Sequence, residues 1–371
     1  MTRLSLVALL SVGSVASFGA VLPVLQQAPV PIQNGKVETR QASSIDREVT
    51  AAAASSDPVW VGWRVPLVPG DRNLCESSVY SNDVSTYYIR GSVIEQAMEP
   101  LSSARTTFPK PSTPVALEGG TSLVVLLRVV DKHVERVRAF GDDCPLDAGG
   151  RTVYWLNGVT AADSVKYLTG LLHQQYFNPS VDREIASRAL RTIALHRDAS
   201  ADVVLDQIAT SDTDSDLRRQ AASQLGANRG AHGFETLKRL VDTEKSPDVR
   251  RQLISALGQT REPQTPDVLL AMAQNDADPK ARAEAVYAYV RRAGAKGLPA
   301  TLAIIDKDKE DSVKTRAVSG IAGLPADDAV PALIQLARTN KNFAVQKQAI
   351  SALGQTKDSR AVTFLEELLK R

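Results

Sequence analysis

The feature that most constrains this chain is a 32-residue periodicity in its C-terminal half. Two apolar columns keep this spacing, and each is accompanied by another column three or four residues further on. Such spacings place side chains on one face of a helix, so each period is predicted to contain two amphipathic helices. The columns are Ala189, Ala221, Leu253, Ala285, Ala317 and Ala349, and Leu205, Leu237, Leu269, Thr301, Leu333 and Leu365.

A single pair of such helices cannot bury both of its apolar faces. Stacking against neighbouring pairs supplies the missing surface, so the pattern predicts an α-solenoid of helix hairpins over residues 161–371. The first unit carries an insertion at residues 174–179, which we expect to contact the N-terminal domain. The predicted units are 161–197, 198–230, 231–262, 263–294, 295–327 and 328–360, about six repeats, with a terminal helix at 361–371.

Polar and small residues recur with the same period at the predicted helix ends. One column has side chains that can accept hydrogen bonds from the free N–H groups at a helix start. Gly226, Gly258 and Gly354 stand just after the predicted helices that carry the Ala189 column and suit a left-handed C-cap. The predicted N-cap column is Asp182, Asp214, Ser246, Asp278, Glu310 and Asn342.

Residues 215–226 and 247–258 carry the pattern most clearly, with the sequences SDLRRQAASQLG and PDVRRQLISALG. They resemble HEAT repeats, of the short HEAT-like type also found in phycobilisome lyases. The resemblance covers about 210 residues and implies the solenoid fold, which serves many binding roles. With Trp60 and Trp63 ahead of the array, the chain also resembles exported bacterial HEAT-repeat proteins. The resemblance implies neither bilin lyase chemistry nor particular functional residues.

Residues 1–20 have the layout of a secretory signal peptide. Arg3 is followed by an apolar run from Leu4 to Val15 and then by small residues at the predicted cleavage site. The run is shorter than the roughly 20 residues that span a bilayer. We therefore predict export to the periplasm or the cell exterior, with cleavage and no stable membrane insertion afterwards. Residues 21–34 are rich in proline and are predicted to form an extended linker.

Residues 35–160 are predicted to form a small α+β domain with an antiparallel sheet. Runs of β-branched and aromatic residues mark the strands, and a short helix is expected near residues 44–54. Trp60 and Trp63 should point to opposite faces of their strand, one into the core and one to a surface or domain interface. The predicted strands are 36–40, 59–65, 86–89, 122–130, 133–138 and 152–156.

Cys75 and Cys144 are the only cysteines, and both lie in this domain. An exported chain meets oxidising conditions, so a Cys75–Cys144 disulfide is predicted. The loop that it closes would stabilise the fold by roughly 4 kcal/mol. A metal site formed by the two thiols with His133 and the aspartates between residues 142 and 147 is the weaker alternative, because CxxC spacing is missing.

Composition excludes several classes of function. The chain has 44 Lys+Arg against 42 Asp+Glu and a net charge of +2, too balanced for a nucleic-acid-binding protein. Its four histidines are scattered, and the sequence contains no nucleophile-elbow, phosphate-loop or paired-histidine motif. We therefore predict a non-enzymatic scaffold of the cell envelope, without a cofactor, that binds a protein or peptide on the curved face of its solenoid.

The alternative hypothesis assigns the function to the N-terminal domain. In that case a ligand-binding or weakly hydrolytic site would lie near Trp155, His133 and Asp143, and the solenoid would only present it. A deep polar pocket among these three residues is the feature that would favour this alternative.

A basic column runs along the repeats with the same 32-residue period. It is either a positive stripe that meets an acidic partner, or a set of arginines that pair with nearby acids within the stack, which is the interpretation we favour. Tyr287 is the aromatic candidate for an exposed contact. The candidate partner-binding residues are Arg218, Arg250, Arg282, Lys314 and Tyr287.

Overall fold

We analysed a computed structural model of the chain, which describes residues 30–55, 57–70, 74, 76–79, 87–90, 92–95 and 120–370. The predicted signal peptide lies outside these ranges, as do residues 21–29 of the predicted linker. The last part of that linker belongs to the folded domain, because Val30 is buried and Ile32–Gln33 form strand β1. The domain therefore begins before the predicted boundary at residue 35.

Strands and one short helix make up the N-terminal domain. Helix α1 (Ile45–Ala52) begins at Ser44, whose hydroxyl accepts a hydrogen bond from the Arg47 N–H. Within the described residues, five strands form the main sheet, in the order β2-β10-β3-β7-β8. Strands β1, β9 and β6 form a small parallel sheet, and β4 pairs with β5. The strands after β1 are β2 (Lys36–Gln41), β3 (Val59–Pro66), β4 (Glu76–Val79), β5 (Tyr87–Arg90), β6 (Ser92–Val93), β7 (Ser122–Val130), β8 (His133–Gly141), β9 (Leu146–Asp147) and β10 (Thr152–Asn157).

The main sheet is mixed, so the predicted antiparallel sheet is wrong. Strand β10 lies between β2 and β3 and runs parallel to both, whereas β3, β7 and β8 pair in antiparallel fashion. Helix α1 explains the difference, because it carries the chain back so that β3 runs in the same direction as β2. The gap left between these two strands is one strand wide, and β10 fills it.

The two faces of the main sheet belong to different cores. Trp60 and Trp63 are both fully buried and point to opposite faces, as expected for their strand. Trp60 packs in a cluster with Trp155 and Cys144. Trp63 belongs to the core that continues through the helices, so it lies at the predicted domain interface, and neither tryptophan is at the surface. Cys75 lies outside the described residues, so its disulfide with Cys144 stays a prediction.

Thirteen helices follow the sheet, as the 32-residue periodicity predicts, and the repeated apolar columns are buried within them. None of the helices in the described ranges has the length and apolar character needed to cross a membrane. They are α2 (Ala161–Gly170), α3 (Pro179–Ala194), α4 (Ala199–Ser211), α5 (Ser215–Asn228), α6 (Gly230–Thr243), α7 (Pro247–Leu257), α8 (Thr265–Asn275), α9 (Pro279–Ala293), α10 (Leu298–Lys307), α11 (Asp311–Ala322), α12 (Ala326–Thr339), α13 (Phe343–Gln355) and α14 (Ser359–Leu369).

The helices form two layers. Odd-numbered helices from α3 to α13 make up the A layer, and even-numbered helices from α2 to α14 make up the B layer. Neighbouring A-layer helices contact each other more extensively than neighbouring B-layer helices do. A stack with unequal spacing in its two layers bends toward the closer layer, so the A layer forms the concave face.

Two glycines allow this close approach in the A layer. A Cβ on Gly226 in α5 would clash with the Ala256 carbonyl oxygen in α7, and a Cβ on Gly258 would lie 2.7 Å from Ala288 Cβ in α9. The predicted left-handed C-caps are wrong, because Gly258 has a φ of −61° and both Gly226 and Gly354 lie inside helices. At Gly226 and Gly258 the missing side chain serves helix packing.

Most of the predicted N-cap column lies at helix starts. The exception is Asp182, because α3 begins one turn earlier with Asn178 as its N-cap. The Asp182 carboxylate instead accepts a hydrogen bond from the Phe177 N–H at 3.2 Å. The side-chain N-caps are confirmed at Asp214, Asp278 and Asn342. Ser246 and Glu310 stand at the predicted N-cap positions, but their side chains accept no hydrogen bond from the helix start.

The sheet is joined directly to the first helices. The Tyr176 ring, in the insertion at residues 174–179, stacks on His133 of β8 at 3.9 Å between ring centres. The Pro66 carbonyl at the end of β3 accepts a hydrogen bond from the Arg197 N–H at 2.9 Å. The insertion therefore contacts the sheet as predicted, and the sheet covers the first end of the solenoid.

Candidate functional site

Arg250 and Arg282 of the predicted basic column bridge successive repeats. The Arg250 guanidinium donates to both carboxylate oxygens of Asp276, at 2.8 and 2.5 Å. Arg282 makes the equivalent pair with Asp308, at 2.8 and 3.2 Å. Each aspartate is the C-cap of the B-layer helix in the next repeat. The two arginines therefore tie neighbouring hairpins together.

The same aspartates close the turns of their own repeats. Asp276 Oδ1 accepts from the Asp278 N–H, and Asp308 Oδ1 accepts from the Glu310 N–H. Both carboxylates are only 8% exposed. Burial alone would raise the pKa of each carboxyl, but the hydrogen bonds from arginine and backbone outweigh it and lower the pKa. Both groups thus stay ionised and hold the loop.

The other three candidate residues lie nearby along the array. Arg218 donates to the backbone carbonyl of Asp212, the C-cap of α4. Lys314 is half-buried on α11, and Tyr287 is half-buried on α9. The contacts of Arg250 and Arg282 agree with the structural interpretation of the basic column. A role of the five residues in binding a partner stays a prediction.

A polar groove of about 310 Å³ crosses the concave face where α3, α5 and α7 lie side by side. Leu190 and Ala256 are buried and form part of its floor. Glutamine and serine side chains both donate and accept hydrogen bonds, so such a wall can pair with the main chain of an extended peptide. The polar lining consists of Ser187, Arg191, Arg219, Gln220, Ser223, Gln224, Gln252, Ser255 and Gln259.

The lining of the groove contains the arginines Arg191 and Arg219 and no acidic residue. Arg191 is exposed, as is Arg251, which stands one residue before the lining residue Gln252. Among the described residues neither of these two guanidinium groups has an acidic partner within ion-pair distance. Partial burial and the charge of Arg188 lower the pKa of Arg191. Arg219 does pair with Asp216 at 2.8 Å, but both side chains are more than half exposed, so this ion pair is weak.

The groove ends at α9. There Tyr287 takes the position that Ser223 holds on α5 and Ser255 holds on α7. The Arg316 guanidinium lies 3.7 Å from the Tyr287 ring centre, and Arg316 also pairs with Glu284 at 2.9 Å. A large ring covered by an arginine thus replaces a small hydroxyl at the boundary of the groove.

Sequence reasoning did not single out the groove residues. It followed the charged column that contains Arg218 and Arg250, whereas the groove is lined by Arg219 of the adjacent column, in which Arg251 stands one period later. Polar residues in fixed register between buried columns, such as Ser223 and Ser255, were the available signal. Whether a residue next to a buried column faces outward can be predicted only when the orientation of its helix in the stack is known.

The residues proposed for a pocket in the N-terminal domain do not come together. Trp155 is 1% exposed within the Trp60 cluster. His133 begins β8 and Asp143 follows its end, and a strand of this length spans about 30 Å. In the described part of the chain, no group of three or more His, Cys, Asp or Glu side chains is placed to hold a metal ion.

Ser164 and His196 form a buried pair at the domain junction. Trp63 Nε1 donates to Ser164 Oγ at 2.8 Å, and Ser164 Oγ lies 2.7 Å from His196 Nε2. His196 Nδ1 lies 2.8 Å from the Thr192 carbonyl oxygen, which can only accept, so Nδ1 carries the proton and Nε2 accepts from the serine. Both side chains are fully buried, so the pair links the sheet to the helices and offers no opening to a substrate.

The sequence of the helical array matches a known family. A family profile described as HEAT repeats matches residues 201–289 and 298–371. No curated protein sequence matches the chain. The C-terminal region is therefore made of HEAT repeats, and the predicted α-solenoid is confirmed there.

Solved structures of other proteins are also similar to this region. The Escherichia coli protein YibA is 22% identical, with 57% of this chain and 79% of that chain covered and a TM-score of 0.35. Kap121p bound to Nup53p is 15% identical, with 56% and 27% covered and a TM-score of 0.33. The complex of CpcE and CpcF of phycocyanin lyase from Nostoc sp. is 13% identical, with 54% and 80% covered and a TM-score of 0.28.

Proposed function

We propose that the chain is a non-enzymatic scaffold whose HEAT repeats bind a protein or peptide partner on their concave face. The groove across α3, α5 and α7 is the observation that carries this proposal. Its walls come from three successive helices that are held in register by close A-layer packing, so a partner meets a preformed surface. The glutamines and serines of the wall supply both donors and acceptors, as recognition of a main chain requires.

The arginine column supports this surface from the side of the loops. Arg250 on α7 and Arg282 on α9 tie their hairpins to the following ones, so they support the α7 side of the groove from the repeats that come after it. In this proposal Tyr287 bounds the groove, and Arg218 and Lys314 continue the loop column on either side.

A crosslinking experiment tests the proposal. A photoreactive amino acid is introduced at Gln252 in the groove or at Lys238, which is exposed on α6 in the B layer, and each full-length variant is made in its native cells. Illumination is expected to attach a polypeptide at position 252 and none at position 238. Equal labelling at both positions, or no adduct at position 252, would contradict the proposal.

We further propose that the scaffold acts outside the cytoplasm, in the periplasm or beyond the cell. The layout of residues 1–20 supports export. The burial of Cys144 against Trp60 and Trp155 suits one half of a structural disulfide with Cys75.

Intact mass spectrometry of the protein recovered from its native cells tests both points. We expect a chain shortened by about 16 to 20 residues that takes up alkylating reagent at its cysteines only after reduction. A full-length chain would contradict export, and two cysteines that react without reduction would contradict the disulfide.

A further inference from the structure

The positive charge of the groove indicates what kind of partner fits it. Arg191 on α3 lines the groove, and Arg251 on α7 is exposed one residue before the lining residue Gln252. The lining contains no acidic residue, and two acids on the helices of the groove pair with arginines. Glu184 pairs with Arg188 at 2.7 Å and Asp216 pairs with Arg219 at 2.8 Å. Glu184 is near enough to stabilise the charge of Arg191, but it forms its ion pair with Arg188. A ligand carboxylate would thus find two arginines that no acid in the described residues holds in an ion pair.

The sheet adds to the positive field at the α3 end of the groove. Strand β8 packs on α3. Arg138 on this strand is close enough to Arg136 and Arg188 for their positive charges to act on it. Burial, and then these two neighbours, lower the pKa of Arg138 to about 10, so it remains charged at neutral pH.

We propose that the groove binds an extended acidic peptide segment of a partner protein. Arg191 and Arg251 would each take one carboxylate, and the glutamines and serines between them would bond the peptide main chain. Arginine suits this role because its planar guanidinium donates two parallel hydrogen bonds to a carboxylate. The proposal rests on the proposed function and adds to it the charge and conformation of the partner.

The spacing of the helices sets the spacing of the acidic residues. Packed helices lie about 8–10 Å apart, and an extended chain advances about 3.3 Å per residue. A peptide therefore passes from one A-layer helix to the next in about three residues, and from α3 to α7 in about six. Side chains six residues apart point to the same side of an extended chain, so the two carboxylates can face the groove together.

Fluorescence anisotropy with defined peptides tests the proposal on the full chain. The probe is a labelled nine-residue peptide of serine and threonine with glutamates at its second and eighth positions, compared with the same peptide carrying glutamine or lysine there. We expect the glutamate peptide to bind about tenfold more tightly than the glutamine peptide, and the lysine peptide not to bind. Raising the salt concentration should weaken the binding.

A pair of variants locates the binding. The double variant Arg191→Gln, Arg251→Gln should weaken binding of the glutamate peptide by about tenfold or more. Arg239→Gln removes an exposed arginine from α6 in the B layer and should leave binding within about twofold. Circular dichroism melts of both variants, expected to match the unsubstituted protein, separate a loss of binding from a loss of folding.

Four results would overturn the inference. Equal binding of the glutamate and glutamine peptides would exclude recognition of acidic side chains, and unchanged binding by the double variant would place the peptide elsewhere. A single-stranded oligonucleotide that binds more tightly than the peptide, and is lost in the double variant, would identify the ligand as a nucleic acid. If peptide binding fails while crosslinking at position 252 succeeds, the acidic partner is wrong and the scaffold function stands, whereas failure of both removes both proposals.

Discussion

At the scale of single residues, His196 has a protonation state that its surroundings fix. Burial is the main reason that its pKa falls to about 4, because charging the ring would place a cation in the core. Charging would also remove the acceptor that Ser164 uses. The folded state therefore binds fewer protons than the unfolded state between the unfolded pKa of about 6.5 and the folded value.

This predicts a loss of stability on acidification. The contribution of neutral His196 is complete above pH 6.5 and declines as the pH falls toward 4, amounting to about 2 kcal/mol between pH 7.5 and pH 5. Urea unfolding at both pH values measures it, and a His196→Asn variant is the control because asparagine does not titrate. If the variant loses as much stability as the unsubstituted chain over this interval, the assigned role of His196 is wrong.

The ion pair of Arg250 with Asp276 gives a second prediction at this scale. An Asp276→Ala change leaves a partly buried guanidinium and a turn N–H without their acceptor, and should cost about 2 kcal/mol of unfolding free energy. Asp248→Ala is the matched control, because this carboxylate is 69% exposed and pairs with Lys280 at a distance of 3.4 Å, an interaction that contributes little. Chemical denaturation of both variants makes the comparison, and equal losses would show that the inter-repeat pair stabilises no more than a surface contact.

At the scale of the helices, the local sequence determined most of the elements that the structure contains. The apolar columns predicted the repeat helices from α3 onward, because residues that recur at spacings of three and four form one apolar helix face, which is buried when helices stack. The error at Asp182 arose since α3 extends one turn beyond its counterparts, using Asn178 and Pro179 as an earlier start. The glycines were misassigned because a small residue near a helix end serves either a C-cap or a close helix contact, and only the neighbouring helix decides between them.

The glycine column gives an element-scale prediction with its own control. Gly226→Ala places a methyl group against the Ala256 carbonyl oxygen, and overpacking of this kind costs about 1–3 kcal/mol. Gly354 stands in the same column on α13 with nothing near its missing Cβ, so Gly354→Ala should stabilise by about 0.5–1 kcal/mol through helix propensity. Thermal melts distinguish the two, and a Gly226→Ala variant as stable as the starting chain would refute the close A-layer contact.

For the strands, in contrast to the helices, the local sequence predicts the elements but not how they pair. Their positions in the chain follow from β-branched and aromatic runs, but their partners do not. Nothing in residues 152–157 specifies that this strand pairs with both β2 and β3, since that choice depends on where helix α1 leaves a gap.

At the scale of the whole molecule, one core runs from the sheet into the repeats. The sequence predicted two domains with a boundary at residue 160, and the structure places Trp63 of the sheet against Tyr167 and Ser164 of α2. The groove depends on this junction, because α3 supports one of its walls and also packs on β8. Its residues could not be predicted from local pattern, as they are brought together only by stacking.

A fragment consisting of residues 161–371 is therefore expected to be unstable. Without the sheet it would expose the buried faces of α2 and α3 and leave His196 and Ser164 without Trp63. We predict a lower melting temperature and association on size-exclusion chromatography, relative to a chain that begins at Val30, where the described contacts start. A monomeric fragment with an unchanged melting temperature would show that the repeats stand alone.

The position of β10 has a consequence for the order in which the protein acquires its structure. This strand completes the sheet from the middle, and Thr152 pairs with Lys36 across a long stretch of intervening chain. The edges of β2 and β3 that pair with β10 therefore stay unpaired until residue 157 has been synthesised. Each later helix hairpin, in contrast, needs only its neighbouring hairpin to pack. Contacts between residues far apart in the chain form slowly, and local contacts form fast. The pairing of β10 therefore sets the time at which the first repeat can pack on a complete sheet.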